Sequence, residues 1–564
     1  MCGIIAIYTR RRDNLEQRAR AALALLENRG PDSQEVRLSG LHHGDNGHHY
    51  YGAIGVARLA IVDVEGPTPP LATPDGRYRI GFHGEIWNYR DLRTELVSGG
   101  ATFQTSGDTE VVLHTVANHH DQAPHRLRGQ FAYVVEDTHE GIVYAARDPN
   151  GICPLFYAIN EEREFILGST VNVLLQDSVD GQQLRALPQG YSLTYDAKTG
   201  RLQFNRYYDI TAAIRPGTDA PPIDSLRTRL CNTIHEKIPR EVPYATIVGG
   251  IDSSFVTTVC SRSDRPPSCI ITVTTTEDTV SADVRNARLL SERCGIEARI
   301  GLVDEEYILK NLERVIDMLG SSNFLEVVTG IVGLKAAEMA REAGAKAIIT
   351  GGGADEMFGG YDFVWTMFEL DSVEQNLLHV YQQSGMFECH REDSVTAAVG
   401  IEARPAYYDT DLAELLFSLP VGQRIVGLGT QQVTEKAILK QIAYGHLPRQ
   451  IINAKKSPLY ESTAVVQLFE KVAARMMTRK EAARWKKQSV ADNALSLSLM
   501  LSSGTGPVLV HKIFTERFPG LRGLRVPYAP PDYNDPNSYG RFHGAFGSPL
   551  MEGFKWYRKS PATT

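Results

Sequence analysis

A chain of 564 residues is too long for one core and implies about two to four domains. With 42% hydrophobic and 22% charged residues it has a globular make-up, and a net charge of −8 gives no overall basic surface for nucleic acid or acidic membrane. No run approaches the roughly 18 apolar residues of a membrane span. The 7 cysteines are odd in number and form no CxxC pair, which points to reduced thiols in the cytoplasm rather than a disulfide framework or zinc site.

The opening MCGIIAIYTR does not read as an export signal, because IIAIY is short and Arg10, Arg11 and Arg12 follow it instead of preceding it. It reads as a strand. A helix follows, with Leu15, Ala19, Ala22, Leu23 and Leu26 on one face, stopped at Gly30-Pro31. Strand-like runs come next at 53–64, 77–86, 131–137 and 141–148, with helical runs at 91–100 and 109–120 between them. Many strands with few helices predict sheets packed face to face over residues 1–205. Residues 206–222, which include RPGTDAPP, read as a linker. From 223 the pattern alternates: helix 225–238, strand 245–250, helix 253–263, strand 269–276, helix 282–295, strand 346–350. That alternation predicts a parallel α/β sheet. Beyond about 365 the chain reads as mainly helical until the Pro/Gly/Asn-rich stretch RVPYAPPDYNDPNSYGRFHGAFGSP, which reads as irregular; the second domain is placed at 223–540 and an irregular tail at 541–564.

Two stretches carry chemistry. If Met1 is removed, Cys2 bears both a thiol and an α-amine of pKa about 8, which can serve as the thiol's own base. Gly3 leaves room for a substrate. The segments MCGIIAI, NRGPDS (28–33), ARLAIVD (57–63), GEIWN (84–88), SGDTEV (106–111) and ARDPNGICPLFY (146–157) occur in that order. Together they resemble the class II glutamine amidotransferase domain, an N-terminal-nucleophile αββα sandwich. The resemblance implies that Cys2 attacks the side-chain amide of L-glutamine and releases ammonia. It implies that Arg58 grips the glutamine α-carboxylate and that Glu85 and Asp108 hold its ammonium. Leu59, Ala60, Ile61 and Val62 complete the glutamine site. A fork-shaped cation and one or two carboxylates suit a zwitterion. The family's Asn-Gly-Glu reads His83-Gly84-Glu85 here. That places His83 and Gly84 at the oxyanion and predicts weakened glutamine hydrolysis, since losing an oxyanion donor costs about 10²–10³ in rate.

The second stretch, YATIVGGIDSSFVTTV, reads as strand, tight turn and helix. Gly249 and Gly250 permit unusual dihedrals and close approach, and Asp252, Ser253 and Ser254 open a helix whose N–H groups favour an anion. It resembles the SGGxDS loop of ATP pyrophosphatases, with Val248 in place of the first Ser. The lost hydroxyl contact is worth about 0.5–1.5 kcal/mol. TGGGADEMFGGYDF (350–363), GIEARPAYYD (400–409) and HLPRQIINAKKSP (446–458) follow. This order resembles the synthetase domain of asparagine synthetase B, so the likeness to that family runs over nearly the whole chain.

The resemblance implies that a carboxylate attacks the α-phosphate of ATP, pyrophosphate leaves, and ammonia displaces AMP from the acyl-adenylate. Adenine is expected against Ile247 and Val273, near Thr350 and Gly351. Asp252 and Asp355 are expected to hold Mg2+, and Lys456 to neutralise phosphate charge. The acceptor is aspartate or another carboxylic acid, and a homodimer is the family's assembly. The family's glutamate in the second glycine turn is Gly352 here, which is expected to open space beside the adenylate for a bulkier acceptor or amine. The competing reading is an amide synthetase or cyclase that uses a different amine, with weak or no glutaminase activity.

Overall fold

A computed structural model describes residues 1–41, 49–176, 179–181, 183–275, 281–366, 370–454, 464–490, 504–519 and 521. The first strand, Gly3–Thr9, is buried on both faces and sorts its side chains by parity. Ile4, Ala6 and Tyr8 enter one core with Ala132, Val134, Val143 and Ala145. Ile5 and Ile7 face the opposite way, into a core with Leu15, Ala19, Leu23 and Leu26.

Two six-stranded antiparallel sheets result. The first runs Arg185–Ala186, Phe156–Ile159, Phe165–Gly168, Gly3–Thr9, Tyr50–Arg58, Ser33–Leu41. The second runs Arg201–Arg206, Tyr191–Asp196, Ile142–Arg147, Gly129–Asp137, Tyr78–Ile86, Leu71–Ala72. Ile80, Phe82 and Phe131 on the outer face of the second sheet pack with Leu92 and Leu96 of helix Tyr89–Ser98 and Val112 and Val116 of helix Asp108–His119. Helix Leu15–Ala24 covers the first sheet. The layers are therefore helix, sheet, sheet, helix, which is the expected αββα sandwich.

The strand expected over 53–64 ends at Arg58. Beyond it Leu59 and Ile61 are buried against Val242 instead of pairing in the sheet. The chain 59–66 forms a loop that Arg58 gathers around itself, donating to the carbonyls of Asp63 (2.5 Å) and Gly66 (2.7 Å).

The second region holds a five-stranded parallel sheet in the order Ala298–Leu302, Cys269–Thr274, Tyr244–Ile247, Ala347–Thr350, Glu402–Pro405. Strand order reverses between Tyr244–Ile247 and Ala347–Thr350. The crevice beyond the carboxyl ends of strands at such a point is where open α/β sheets bind ligands. Both glycine turns lie there. Among the described residues no helix is long and apolar enough to cross a membrane. The tail 541–564 lies outside the described residues.

Candidate active sites

The start of the first strand delivers Cys2 to a small pocket shared with Arg58, Ile61, Val62, Gly84, Glu85 and Asp108. The Cys2 Sγ accepts the Leu59 N–H at 3.4 Å. Burial pushes the thiol pKa upward, so the resting group is the thiol and a base is needed to activate it. Met1 is fully buried ahead of it, and burial lowers the pKa of its amine. Ala60 serves the pocket indirectly, its N–H donating to Asp32 Oδ2 at 2.7 Å.

Asp108 opens helix Asp108–His119 and accepts the Ile86 N–H at 3.0 Å. Burial pushes its carboxyl up to about 7. Glu85 pairs with Arg404, which is fully buried and also donates to Glu402 Oε1 (2.8 Å) and the Lys237 carbonyl (2.8 Å). Burial first, with Glu402 and Asp108 nearby, pushes Glu85 up to about 8 against the pull of Arg404. Glu402, from the parallel sheet, lines the same pocket. Three carboxylates thus meet there, and burial holds two of them, Glu85 and Asp108, above the usual carboxylate range.

The oxyanion role expected of His83 does not agree with its placement. Its side chain is fully buried and is absent from the pocket wall. Nε2 lies 3.2 Å from Arg29 Nη2 and 3.4 Å from Asp393 Oδ1, and Nδ1 lies 3.4 Å from Ser169 Oγ. Burial lowers the imidazole pKa to about 4, so the ring is neutral at pH 7. Nε2 thus faces both a donor, the Arg29 guanidinium, and an acceptor, the Asp393 carboxylate, while Nδ1 faces the Ser169 hydroxyl, so both ring nitrogens are engaged inside the protein. Gly84 does line the pocket, with φ at 135°, and a Cβ there would lie 2.0 Å from the Gln130 carbonyl oxygen. Gly84→Ala is expected to lose at least about 1–3 kcal/mol, read as a lowered thermal midpoint.

In the second site, strand Tyr244–Ile247 leads through Gly249 and Gly250 into helix Ile251–Ser261. Neither glycine adopts a left-handed conformation. A Cβ on Gly249 would touch Asp283 Oδ1 at 3.4 Å, whereas one on Gly250 would meet nothing within 4 Å. Ser253 Oγ accepts the Gly249 N–H at 2.9 Å, and Asn286 Nδ2 donates to the Gly249 carbonyl at 2.8 Å, which fixes the loop. Ser254 is buried in the first turn. Ile247, Val273 and Thr350 stand at or near the carboxyl ends of three adjacent strands, and Gly351 packs against Asp252 and Ser253.

Asp252 and Asp355 converge on one cation. Lys436 Nζ lies 2.5 Å from Asp252 Oδ2 and 2.5 Å from Asp355 Oδ1. Lys456 lies outside the described residues. Gly352 does not open space: a Cβ there would meet Pro405 Cβ at 2.8 Å and both carboxylate oxygens of Glu392 at 3.3 Å. The expected room for a bulkier acceptor is already filled.

Arg29, Asp393, Arg404, Lys436 and Glu392 are the functional-site residues that sequence reading passes over. Arg29 and Arg404 lie inside the motifs NRGPDS and GIEAR, and only that position hinted at them. A buried lysine such as Lys436 has no local periodic signature.

Residues 1–215 match the family model described as glutamine amidotransferase domain, and residues 225–375 and 366–505 match that described as asparagine synthase. A glutamine-hydrolyzing asparagine synthetase of Sandersonia aurantiaca is 26% identical over 485 residues, spanning 81% of this chain and 86% of that protein. Glutamine-hydrolyzing asparagine synthetase B of Escherichia coli (strain K12) is 23% identical over 502 residues, spanning 85% of this chain and 86% of that protein. Among solved structures, glutamine phosphoribosylpyrophosphate amidotransferase from B. subtilis complexed with ADP and GMP aligns at a TM-score of 0.31 and 17% identity, over 68% of this chain and 92% of that chain. With the two domains matched in this order over most of its length, the chain belongs to the asparagine synthetase family as a divergent member.

Proposed function

We propose that the chain is a glutamine-dependent, AMP-forming amide ligase. The observation that carries this reading is the convergence of Asp252 and Asp355 on one cation position beside the Gly249–Gly250 loop, at the switch point of the parallel sheet. ATP lies there with its phosphates at the start of helix Ile251–Ser261 and its base against Ile247 and Val273. Two carboxylates from separate elements that already share one cation are a donor set suited to a hard divalent ion, so Asp252 and Asp355 would hold Mg2+. When bound, that ion offsets phosphate charge. Lys456 is proposed to add positive charge on the same side.

In the first domain, removal of Met1 frees the Cys2 amine to take the thiol proton. The thiolate attacks the glutamine amide carbon, the carbon–nitrogen bond breaks, and ammonia leaves carrying a proton. Glu85 and Asp108 hold the substrate ammonium, a cation that relieves the crowding of carboxylates seen in the pocket. Arg58, which lines the same pocket, faces the α-carboxylate. A homodimer and a cytoplasmic location complete the reading, on family resemblance alone.

A second reading is favoured by one observation. His83 spends both ring nitrogens inside the protein, so it supplies no oxyanion donor. An enzyme with that geometry hydrolyses glutamine slowly, by about 10²–10³, and draws on another amine.

The test is a screen of carboxylic acids for ATP-dependent pyrophosphate release, with glutamine or ammonium chloride as nitrogen source. Cys2→Ala is expected to lose glutamine-dependent amide formation and keep the ammonium-dependent reaction. Full glutamine-dependent synthesis by Cys2→Ala would overturn the nucleophile assignment. Pyrophosphate release without any glutamine hydrolysis would select the second reading.

A further inference from the structure

The turn Thr350–Gly353 packs against the phosphate loop: a Cβ on Gly351 would lie 3.0 Å from the Ser253 nitrogen. Whatever stands beside Gly352 therefore stands one residue from the loop to which the ligase reading assigns the ATP phosphates. Helix Glu388–Ala397 brings Glu392 there. Glu392 Oε2 accepts the Thr350 hydroxyl at 2.9 Å, and Thr350 Oγ1 in turn accepts the Gly352 N–H at 3.2 Å. Among the described residues, Glu392 Oε1 accepts nothing, and the side chain is only half-buried. One turn earlier on the same helix, Glu388 Oε2 accepts the Gly353 N–H (3.3 Å) and the Tyr408 hydroxyl (2.8 Å). Glu388 is thus tied down, whereas among the described residues Glu392 Oε1 has no partner on the turn.

Two glutamates four residues apart on one helix face repel each other and cost stability. Holding the turn engages one oxygen of each, Glu392 Oε2 on Thr350 and Glu388 Oε2 on Gly353, and leaves Glu392 Oε1 over. Glu356 adds to the imbalance: it is buried, its Oε1 accepts the Tyr361 hydroxyl at 2.6 Å, and its Oε2 has no hydrogen-bond partner among the described residues. Carboxylates gathered around an adenylate site with a donor missing are arranged for a nitrogen that arrives with protons to give.

We propose that Glu392 is the base of the amide-forming step, its carboxylate standing where Gly352 has no side chain. The proposal rests on the ligase reading above. As the amine nitrogen's lone pair forms the bond to the acyl carbon, the bond from that carbon to the AMP oxygen breaks and its electron pair leaves with AMP. The proton shed by the nitrogen passes to Glu392 Oε1. Burial, then the charge of Glu388, raises the Glu392 pKa to about 8, against the opposing pull of Arg391 and Thr350. The other titratable groups facing this corner are Glu356 and Asp355 on helix Ala354–Phe358, together with Tyr361 and Tyr408. A carboxylate so raised is a stronger base than a solvated one and becomes ionised as pH climbs through about 8.

The experiment uses the full chain with the acid that gives the most pyrophosphate release in the screen and ammonium chloride as nitrogen source. With the free-ammonia concentration held constant across the pH range, Glu392→Gln is expected to lower amide formation by about 10²–10⁴, to keep ATP-dependent pyrophosphate release, and to lose the rise in rate through pH 8. Glu392→Asp is expected to fall between the two and to keep that rise. Equal losses in both half-reactions, or an unchanged pH profile in Glu392→Gln, would overturn the proposal. A wild-type chain that releases no pyrophosphate with any acid would instead sink the ligase reading. If Glu392→Gln fails to fold, Glu392→Asp decides the matter by the same split: amide formation must fall while pyrophosphate release persists.

Discussion

Asp393→Ala is expected to cost about 3–5 kcal/mol of stability and most of the glutaminase activity. Asp393 is fully buried on helix Glu388–Ala397, yet its partner is in the first domain. Arg29 grips it with both ends of its fork, at 2.9 and 3.1 Å. Arg29 itself is 4% exposed, so removing the carboxylate strands a guanidinium in the interior. Stranding one charge of a buried pair costs far more than the intact pair contributes. The same fork donates through Nε to the Cys2 carbonyl at 3.2 Å and reaches His83. A shifted Arg29 therefore moves the nucleophile.

The pH dependence has a definite sign. The Arg29 charge and the His83 contact hold the Asp393 carboxyl well below its usual range. A depressed folded pKa contributes stability above the unfolded value of about 3.9, and that contribution is lost as pH falls through the folded value. Urea melts of the two proteins should therefore differ most near neutral pH and draw together in acid. Asp393→Asn, which keeps the shape and one acceptor, should fall between them. Equal urea midpoints at pH 7 would mean that the pair holds nothing together.

Much of the architecture is legible in local pattern. Parity along Gly3–Thr9, the apolar face of Leu15–Ala24 and the strand–helix rhythm after residue 223 are all short-range signals. Both glycine turns are found at the ends of strands, as their motifs require. The apolar run 53–64 misleads because a buried loop and a buried strand have the same composition; only pairing with a neighbour tells them apart.

The site is less legible than the fold, because its decisive contacts join distant parts of the chain. Arg29 and Asp393 are 364 positions apart, and Glu85 and Arg404 are 319 apart. His83 follows the same rule. Its position in the motif suggests an oxyanion donor, but its direction is set by Arg29, Ser169 and Asp393, none of which is near in sequence. A missing Cβ at Gly352 reveals nothing about the glutamate that a separate helix brings to the same place.

Lys436→Met is expected to lower synthesis by roughly 10²–10³ and to make the melting temperature depend on Mg2+. Lys436 is 1% exposed and sits with φ at 53° just before helix Ala437–Ala443. Gly360 leaves room for it, since a Cβ there would overlap both Lys436 and Asp355. Its ammonium holds Asp252 and Asp355 together. Without it, two carboxylates a few Å apart repel by about 4 kcal/mol at an effective dielectric of 20. The variant then has two ways to relieve that repulsion: take up a proton, or take up a divalent cation. Added Mg2+ should raise its melting temperature well beyond the shift seen in wild type, by mass action on the folded state. Combining Lys436→Met with Asp252→Asn removes one of the two charges, and the Mg2+ dependence should disappear with it. A single variant that melts like wild type and ignores Mg2+ would show that Asp252 and Asp355 do not form a cation site. That outcome would remove the observation on which the ligase reading stands. The opposite outcome would identify Lys436 as the cation that keeps the site assembled until ATP and its metal arrive.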